Sequence, residues 1–221
     1  RYNLTSTATL NMTFNPDFGQ VEADPSVLNL SAFETRLEEK RPFFVQGASF
    51  FNSWLRIFNS RRIGRRPNFN EPTSGDIIDQ PNETTILSAA KVLGQTRSGI
   101  KYGIINAVTS EEYGTREYDL NGAVKKDRFL VEPYSNYFVG RFTKPIVNDL
   151  STVGFMATDL HRNGHNIKAS SLKGDWLLNL MDNKLEFTGE YATTINEENG
   201  YAGRLRLSYR DPTFWEIATW A

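Results

Sequence analysis

The sequence contains no cysteine among its 221 residues, and it holds only two histidines. Without cysteine the chain can form neither disulfides nor thiolate metal sites, and it offers no thiol nucleophile. No run reaches the length of about 18 uninterrupted apolar residues that a membrane-spanning helix needs. Charge of one sign is not in excess either, because the formal net charge is -1, and we expect no nucleic-acid partner.

Catalytic motifs are missing as well. The sequence has no Walker or dinucleotide-binding glycine pattern and no Gly-x-Ser-x-Gly elbow. His161 and His165 stand four apart, but an Asn-Gly turn signal separates them and no Glu follows the first His. Paired carboxylates such as Glu186 and Glu190 belong to a charged strand rather than to two sides of a cleft, as glycoside hydrolysis requires. We therefore expect no enzyme, no cofactor and no metal site.

The sequence does have strict alternation of apolar and polar side chains. From Tyr2 to Phe14, mostly apolar residues occupy the even positions and Asn or Thr occupies nearly every odd one. This period of two predicts one long strand with an apolar face and a polar face. Soluble strands usually run to about five or six residues, whereas crossing a bilayer takes roughly nine to eleven. The mean hydropathy of -0.48 does not oppose a membrane strand, because a barrel exposes only alternate side chains to lipid.

The same signals predict eight further strands after a long irregular region at residues 15–84. The connections between strands alternate between long and short. Outer-membrane barrels have short periplasmic turns and longer extracellular loops, so this alternation places Arg1 on the periplasmic side. The predicted strands cover residues 85–94, 99–109, 135–146, 151–160, 172–181, 184–195, 200–210 and 213–221.

The predicted fold is therefore all-β: the N-terminal part of a transmembrane antiparallel β-barrel in the outer membrane of a Gram-negative bacterium. Bacterial single-chain barrels close with an even number of strands, whereas this chain supplies an odd number. The chain also starts without Met and ends in an apolar stretch at Trp220. We expect residues 1–221 to be one segment of a longer barrel domain.

The region 15–84 carries more charge and more aromatic surface than a solvated loop needs. We expect it to fold inward as a plug or to form a long extracellular insert. Half-buried charges must be paired, which predicts a salt-bridge network between plug and wall. A metal site is not expected, because the acidic residues of this region lack the spacing of a calcium loop. The predicted network contains Asp17, Glu22, Asp24, Glu34, Glu39, Lys40, Arg41, Arg61, Arg62, Glu186, Glu190, Arg204 and Arg206.

Two runs in this region carry a resemblance to a known family. They are Asn-Pro-Asp-Phe-Gly-Gln-Val-Glu-Ala-Asp at residues 15–24 and Glu-Lys-Arg-Pro-Phe-Phe at residues 39–44. They resemble the domain of unknown function 5916, an outer-membrane barrel domain of Bacteroidota and related bacteria. The resemblance implies an upstream periplasmic module like the family 9 carbohydrate-binding modules, and it brings no catalytic residues. Its hint of glycan handling is analogy alone.

Three functions remain open. The first is a channel or transporter-like component that passes a solute, which would be a glycan if the analogy holds. The second is a membrane anchor or a subunit of an envelope assembly. The third is a soluble β-rich domain that binds or hydrolyses carbohydrate. The expected partners are outer-membrane lipid, envelope proteins and a glycan ligand.

Overall fold

The computed structural model describes residues 1–16, 38–67, 69, 75–164, 168–195 and 199–210. As predicted, the fold is all-β and antiparallel, with only short helical turns. The helices are α1 (Pro42–Val45) and α2 (Ala48–Phe51), and a 3-10 turn covers Ser60–Arg62. The strands are β1 (Tyr2–Thr5), β2 (Ala8–Phe14), β3 (Asp76–Asp79), β4 (Ile86–Gln95), β5 (Lys101–Thr109), β6 (Glu112–Leu120), β7 (Ala123–Glu132), β8 (Ser135–Ile146), β9 (Asn148–Arg162), β10 (Lys168–Leu180), β11 (Leu185–Ile195) and β12 (Tyr201–Tyr209).

Nine of these strands form one large sheet in the order β1-β2-β4-β5-β8-β9-β10-β11-β12, and β3-β6-β7 form a small one. Among the described residues the large sheet does not close on itself, so β1 and β12 are its two edges. The connections at residues 6–7, 96–100, 147 and 181–184 lie at one end, and those at residues 15–85, 110–134, 163–167 and 196–200 lie at the other. The predicted alternation of long and short connections holds only in part, because 163–167 and 196–200 have five residues each, as 96–100 has.

The predicted single strand from Tyr2 to Phe14 is wrong, because the chain turns at residues 6–7 and forms a hairpin. The Thr5 hydroxyl accepts a hydrogen bond from the Thr7 amide at 3.2 Å inside that turn. The two-residue turn by itself pairs odd positions with even ones, as at Thr5 and Ala8, but a register shift between Asn3 and Thr5 restores the parity. Tyr2 therefore pairs with Leu10 on the same face. Periodicity alone therefore could not reveal the break.

The predicted long loop at residues 110–134 is also wrong, because it contains the β6–β7 hairpin. Its strands are polar on both faces, so they lack the apolar alternation that marks a strand. Cross-strand ion pairs hold them instead, with Arg116 Nε 2.7 Å from Asp127 Oδ1. The Asn121-Gly122 dipeptide favours a hairpin turn, in which both residues have positive φ, and it could have predicted this hairpin.

The other predicted strands overlap β4, β5 and β8–β12, while the one at 213–221 lies outside the described residues. In the described part of the chain, no helix has the length and apolar character needed to cross a membrane.

The large sheet has two faces of opposite character. We call the face packed against residues 38–67 the covered face, and we call those residues the packed segment. One row of the covered face runs across neighbouring strands through Arg141, Met156, Lys173 and Ala192. The opposite, open face carries mostly apolar side chains, among them Ile104, Phe138, Phe142, Val153, Phe155, Trp176, Leu178, Phe187, Tyr191, Leu205 and Leu207.

The core lies between the covered face and the packed segment. Phe44 and Ile63 of the segment pack on strands β4 and β5, and Phe51 packs on β5, β8 and β9. Burying such side chains contributes about 1.5–3 kcal/mol each. The packed segment is therefore part of the folded core, and its buried partners on the sheet are Ile86, Ala89, Ile105, Ala107, Val139 and Met156.

Gly103 on β5 gives the packed segment room to approach the sheet. A Cβ at Gly103 would lie 2.7 Å from Phe50 Cδ1 and 2.7 Å from Phe51 Cζ. We expect Gly103→Ala to lower the free energy of unfolding by about 1–3 kcal/mol, as overpacking does. Urea unfolding measures this change. Gly174→Ala on β10 is the control, since nothing lies within 4 Å of its Cβ, and an equal loss there would contradict the account.

Candidate functional site on the covered face

Lys91 ties the first turn of the packed segment to the sheet. The residue is only 1% exposed, in the middle of β4. Its ammonium donates hydrogen bonds to the carbonyl oxygens of Phe43, within helix α1, and of Gln46, directly after it. The ammonium also lies 4.8 Å from the centre of the Phe43 ring. A buried ammonium needs such partners, because burial without them is costly.

A compact group of charges lies further along the same face. Arg141 Nη2 of β8 is 3.1 Å from Asp175 Oδ2 of β10. Lys173 Nζ is 3.6 Å from the other oxygen of the same carboxylate, and Lys173 is fully buried. Gly154 on the strand between them makes this possible, because a Cβ there would lie 2.4 Å from Asp175 Oδ2. Asp175 therefore joins two cations from two strands.

Glu190 on β11 binds the backbone of the packed segment directly. Its carboxylate accepts hydrogen bonds from the Trp54 amide at 3.1 Å and from the Leu55 amide at 2.5 Å. Lys173 Nζ lies 4.0 Å away, and Arg204 stands opposite Glu190 in the β11–β12 pairing. The Arg204 guanidinium in turn stacks 3.9 Å from the centre of the Trp54 ring. Hydrogen bonds to a charged acceptor are among the stronger ones.

Two further contacts complete this attachment. The Lys173 ammonium donates to the Ser53 hydroxyl, and Arg141 Nη1 donates to the Asn52 carbonyl at 3.4 Å. Neighbouring residues of the packed segment are thus bound by a row of charged side chains on the covered face. We call this group the wall network, and its members are Arg141, Lys173, Asp175, Glu190 and Arg204.

A second charged group lies within the packed segment. Arg41 donates from Nε to Glu39 Oε1 at 2.8 Å and from Nη2 to Oε2 at 2.7 Å. Arg41 also donates to the carbonyls of Ile63 and Ser60, and the Ser60 hydroxyl donates to Glu39. Burial raises the pKa of the Glu39 carboxyl, but hydrogen bonding and charge from Arg41, helped by Ser60, outweigh burial and lower the pKa.

This lowered pKa predicts acid sensitivity of the packed segment. The pair stabilises the fold above the unfolded-state pKa of 4.5, and the contribution is lost as pH falls through the lower folded-state value. We expect the unfolding free energy to fall between about pH 5 and about pH 3, and Glu39→Gln to remove that part of the slope. Unfolding at stepped pH measures it, with Glu83→Gln, at an exposed acid, as control. An unchanged slope in Glu39→Gln would contradict the assignment.

A cavity of about 330 Å³ opens beside this group. Charged and amide side chains form one part of its lining, and aromatic and aliphatic side chains form the other. The polar lining comprises Glu38, Glu39, Asn52, Arg56, Asn59, Ser60, Arg61 and Arg62, and the apolar lining comprises Phe44, Ala48, Phe51, Ile57, Phe58 and Ile105.

The predicted network residues fall into separate places. Glu39, Arg41 and Arg61 come together, with Arg61 Nη1 3.9 Å from Glu39 Oε1. Arg62 lines the same cavity, while Lys40 is exposed beside it. On the wall, Glu190 faces Arg204, whereas Glu186 faces Ser208 and Arg206 faces Thr188. The remaining predicted residues, Asp17, Glu22, Asp24 and Glu34, lie outside the described residues.

The sequence reasoning missed Lys91, Arg141, Lys173 and Asp175. Each is a charge at a position that alternation assigns to the covered face of a strand. A search of each predicted strand for charged residues on the face that packs against residues 38–67 would have found them. Within the described residues, no three His, Asp or Glu side chains converge on a point that could hold a metal ion.

Comparison with known proteins gives one match. A family model described as Domain of unknown function (DUF5916) matches residues 1–214. The chain belongs to this family. The family membership predicted from residues 15–24 and 39–44 is therefore confirmed. The upstream module that resembles carbohydrate-binding modules stays a prediction. No curated protein and no solved structure matches the chain.

Proposed function

We propose that the DUF5916 chain forms part of the wall of an outer-membrane β-barrel, with its open face against lipid and its covered face lining the interior. In this proposal the packed segment fills part of the lumen, and a polar solute passes beside it. The long connections face the outside of the cell and Arg1 faces the periplasm.

The open face is the observation that carries the proposal. Large apolar side chains are exposed across neighbouring strands, including Phe142 at 45%, Phe155 at 48% and Tyr191 at 52%. Soluble monomers rarely expose a contiguous apolar patch of more than a few hundred Å². Lipid would cover such a face along its whole width, since alternate side chains of a membrane strand point outward.

The covered face supports the same orientation. It buries the basic residues Lys91 and Lys173 beside its apolar core, while the opposite face exposes large apolar side chains. A soluble sheet would instead have polar side chains on the face that lies against water. Charges on the covered face are instead satisfied by the packed segment and by each other, as a polar lumen allows.

Strand length supports the membrane placement too. Strands β8 to β11 have 12, 15, 13 and 11 residues, enough to cross the hydrocarbon region when tilted. On β9 the apolar open-face positions give way to Asp159, which accepts a hydrogen bond from Ser170 at 2.5 Å. Polar side chains at that height would mark the edge of the lipid-facing belt.

Closure is the remaining requirement of the proposal. A bilayer does not tolerate unpaired backbone groups, so the free edges of β1 and β12 need partners. In the proposed barrel these edges pair with each other or with strands outside the described residues.

A membrane anchor in an envelope assembly is the second candidate. The observation that favours it is the firm attachment of the packed segment, which combines two apolar clusters with the wall network. A segment held in this way would block the lumen permanently. The upstream module would then carry the binding activity, glycan binding included.

Conductance separates the two candidates. The full-length protein would be reconstituted in planar bilayers, both intact and with the packed segment weakened by Glu190→Gln. Under the proposal, the intact protein conducts and the variant conducts more, because Glu190 holds the backbone of Trp54 and Leu55. Silence of both proteins would overturn passage and leave the anchor. Asp149→Asn, an exposed acid at the start of β9, is the control.

A further inference from the structure

Trp54 is the one aromatic residue of the packed segment that the fold leaves exposed. The segment contains six aromatic residues. Five of them pack into the two apolar clusters, whereas Trp54 is 61% exposed. A single exposed ring is common on protein surfaces, so its exposure by itself assigns no function. The five packed rings belong to Phe43, Phe44, Phe50, Phe51 and Phe58.

The way Trp54 is held distinguishes it from an ordinary surface ring. The Glu190 carboxylate accepts hydrogen bonds from the backbone amides of Trp54 and Leu55. The Arg204 guanidinium lies 3.9 Å from the centre of the indole ring and covers one of its faces. Because the residue is nonetheless 61% exposed, the other face is accessible. A ring fixed in this way loses little conformational freedom when a ligand stacks on it.

Two polar side chains near the ring have no partner within the described part of the chain. Asn52 and Arg56 lie two positions before and after Trp54, and both are exposed. Neither the Asn52 side-chain amide nor the Arg56 guanidinium makes a hydrogen bond or an ion pair with another described residue. Both also line the cavity of about 330 Å³, a volume in the range of sites that take small molecules. These donors and the amide acceptor are therefore available to a ligand.

This combination of groups favours a saccharide over an aromatic solute. A sugar ring has an apolar face of C–H groups and a rim of hydroxyl groups. The C–H face stacks on an aromatic ring, and the hydroxyl groups bond to amide and guanidinium groups. A flat aromatic solute would gain only one stacked face, because no second ring lies opposite Trp54 among the described residues. A sugar keeps its remaining hydroxyl groups hydrated, as an exposed site requires.

We propose that Trp54, Asn52 and Arg56 form a binding site for a saccharide. The C–H face of the sugar stacks on the free face of the indole ring, and its hydroxyl groups bond to Asn52 and Arg56. Glu190 and Arg204 are positioning residues, because they hold the backbone and the ring of Trp54. The inference names the class of solute for the proposed passage and rests on that proposed function.

Calorimetry on the full-length protein, in a detergent without a sugar headgroup, tests the proposal. The probes are cellobiose, maltose and sorbitol, because sorbitol carries hydroxyl groups but has no ring. We expect a disaccharide to bind and sorbitol to bind at least about tenfold more weakly. Trp54→Ala should weaken disaccharide binding by about tenfold or more, and Trp54→Phe, which keeps a smaller ring, should bind more tightly than Trp54→Ala.

The matched control is Tyr201→Ala, which removes an aromatic side chain from a residue of β12 that is 82% exposed. Tyr201 lies on the open face, three positions from Arg204, so its loss should leave binding unchanged. If Trp54→Ala does not fold, the double variant Asn52→Ala with Arg56→Gln replaces it, with a loss of about tenfold expected.

Equal binding of sorbitol and the disaccharides would overturn the inference. So would the absence of disaccharide binding, which is the result expected if the rest of a barrel wall covers Trp54. An equal loss in the Tyr201 control would overturn it as well. Binding without conductance would overturn only the passage function, and conductance without binding would overturn only this inference.

Discussion

Replacing Phe155 with Arg is expected, under the proposed membrane placement, to lower the stability of the protein by about 2–4 kcal/mol. Phe155 lies at the middle of β9, the longest strand, and its ring faces outward between Phe142 and Gly174 of the neighbouring strands. An arginine at that depth would place a charge in hydrocarbon, where no partner is available. Unfolding of the full-length protein in liposomes measures the change.

The control for this variant is Val124→Arg. Val124 is an exposed apolar residue of β7, in the small sheet that the proposal leaves outside the lipid. We expect its effect to stay within about 0.5 kcal/mol, as for most surface substitutions. If Phe155→Arg were equally mild, the open face would lie in water and the membrane placement would be wrong.

Asp175→Ala is expected to be the most damaging change on the covered face, with a loss of about 3–5 kcal/mol in unfolding free energy. The carboxylate lies between Arg141 and Lys173, and the Lys173 side chain has no exposed surface. Removing the carboxylate leaves two cations close together, and burial prevents water from compensating. Urea unfolding in detergent provides the measurement.

Two further variants sharpen that result. Asp175→Asn keeps the side-chain volume but removes the charge, so it should cost nearly as much as the alanine variant. Asp149→Ala, at an exposed position of β9, should change stability by less than about 0.5 kcal/mol. A small effect of both Asp175 variants would mean that the wall network does not hold the fold together.

The sheet itself was readable because alternation of period two is a direct consequence of strand geometry. Strand β11 carries strong alternation, and both β8 and β11 were predicted almost to the residue. The hairpin of β1 and β2 was not, since a register shift between Asn3 and Thr5 restores the alternation that the two-residue turn displaces. The β6–β7 hairpin was missed because cross-strand charges, rather than an apolar face, hold it.

The candidate site could be predicted only in part, because some of its contacts join residues that are far apart in the sequence. Glu190 and Arg204 stand out on neighbouring strands, so their facing positions follow from the hairpin register. The contacts of Glu190 with the amides of Trp54 and Leu55 join residues more than a hundred positions apart. No local pattern encodes such a pairing, which depends on how the packed segment settles on the sheet.

The most direct test of the central claim is a cysteine scan along β9. The chain has no cysteine, so single cysteines at positions 153 to 158 can carry a fluorophore without background from this chain. The full-length protein would be reconstituted in liposomes that contain a lipid-attached quencher. We predict strong quenching at Val153, Phe155 and Ala157 and weak quenching at Gly154, Met156 and Thr158, since the two sets lie on opposite faces. Weak quenching at all six positions would contradict a lipid-facing sheet.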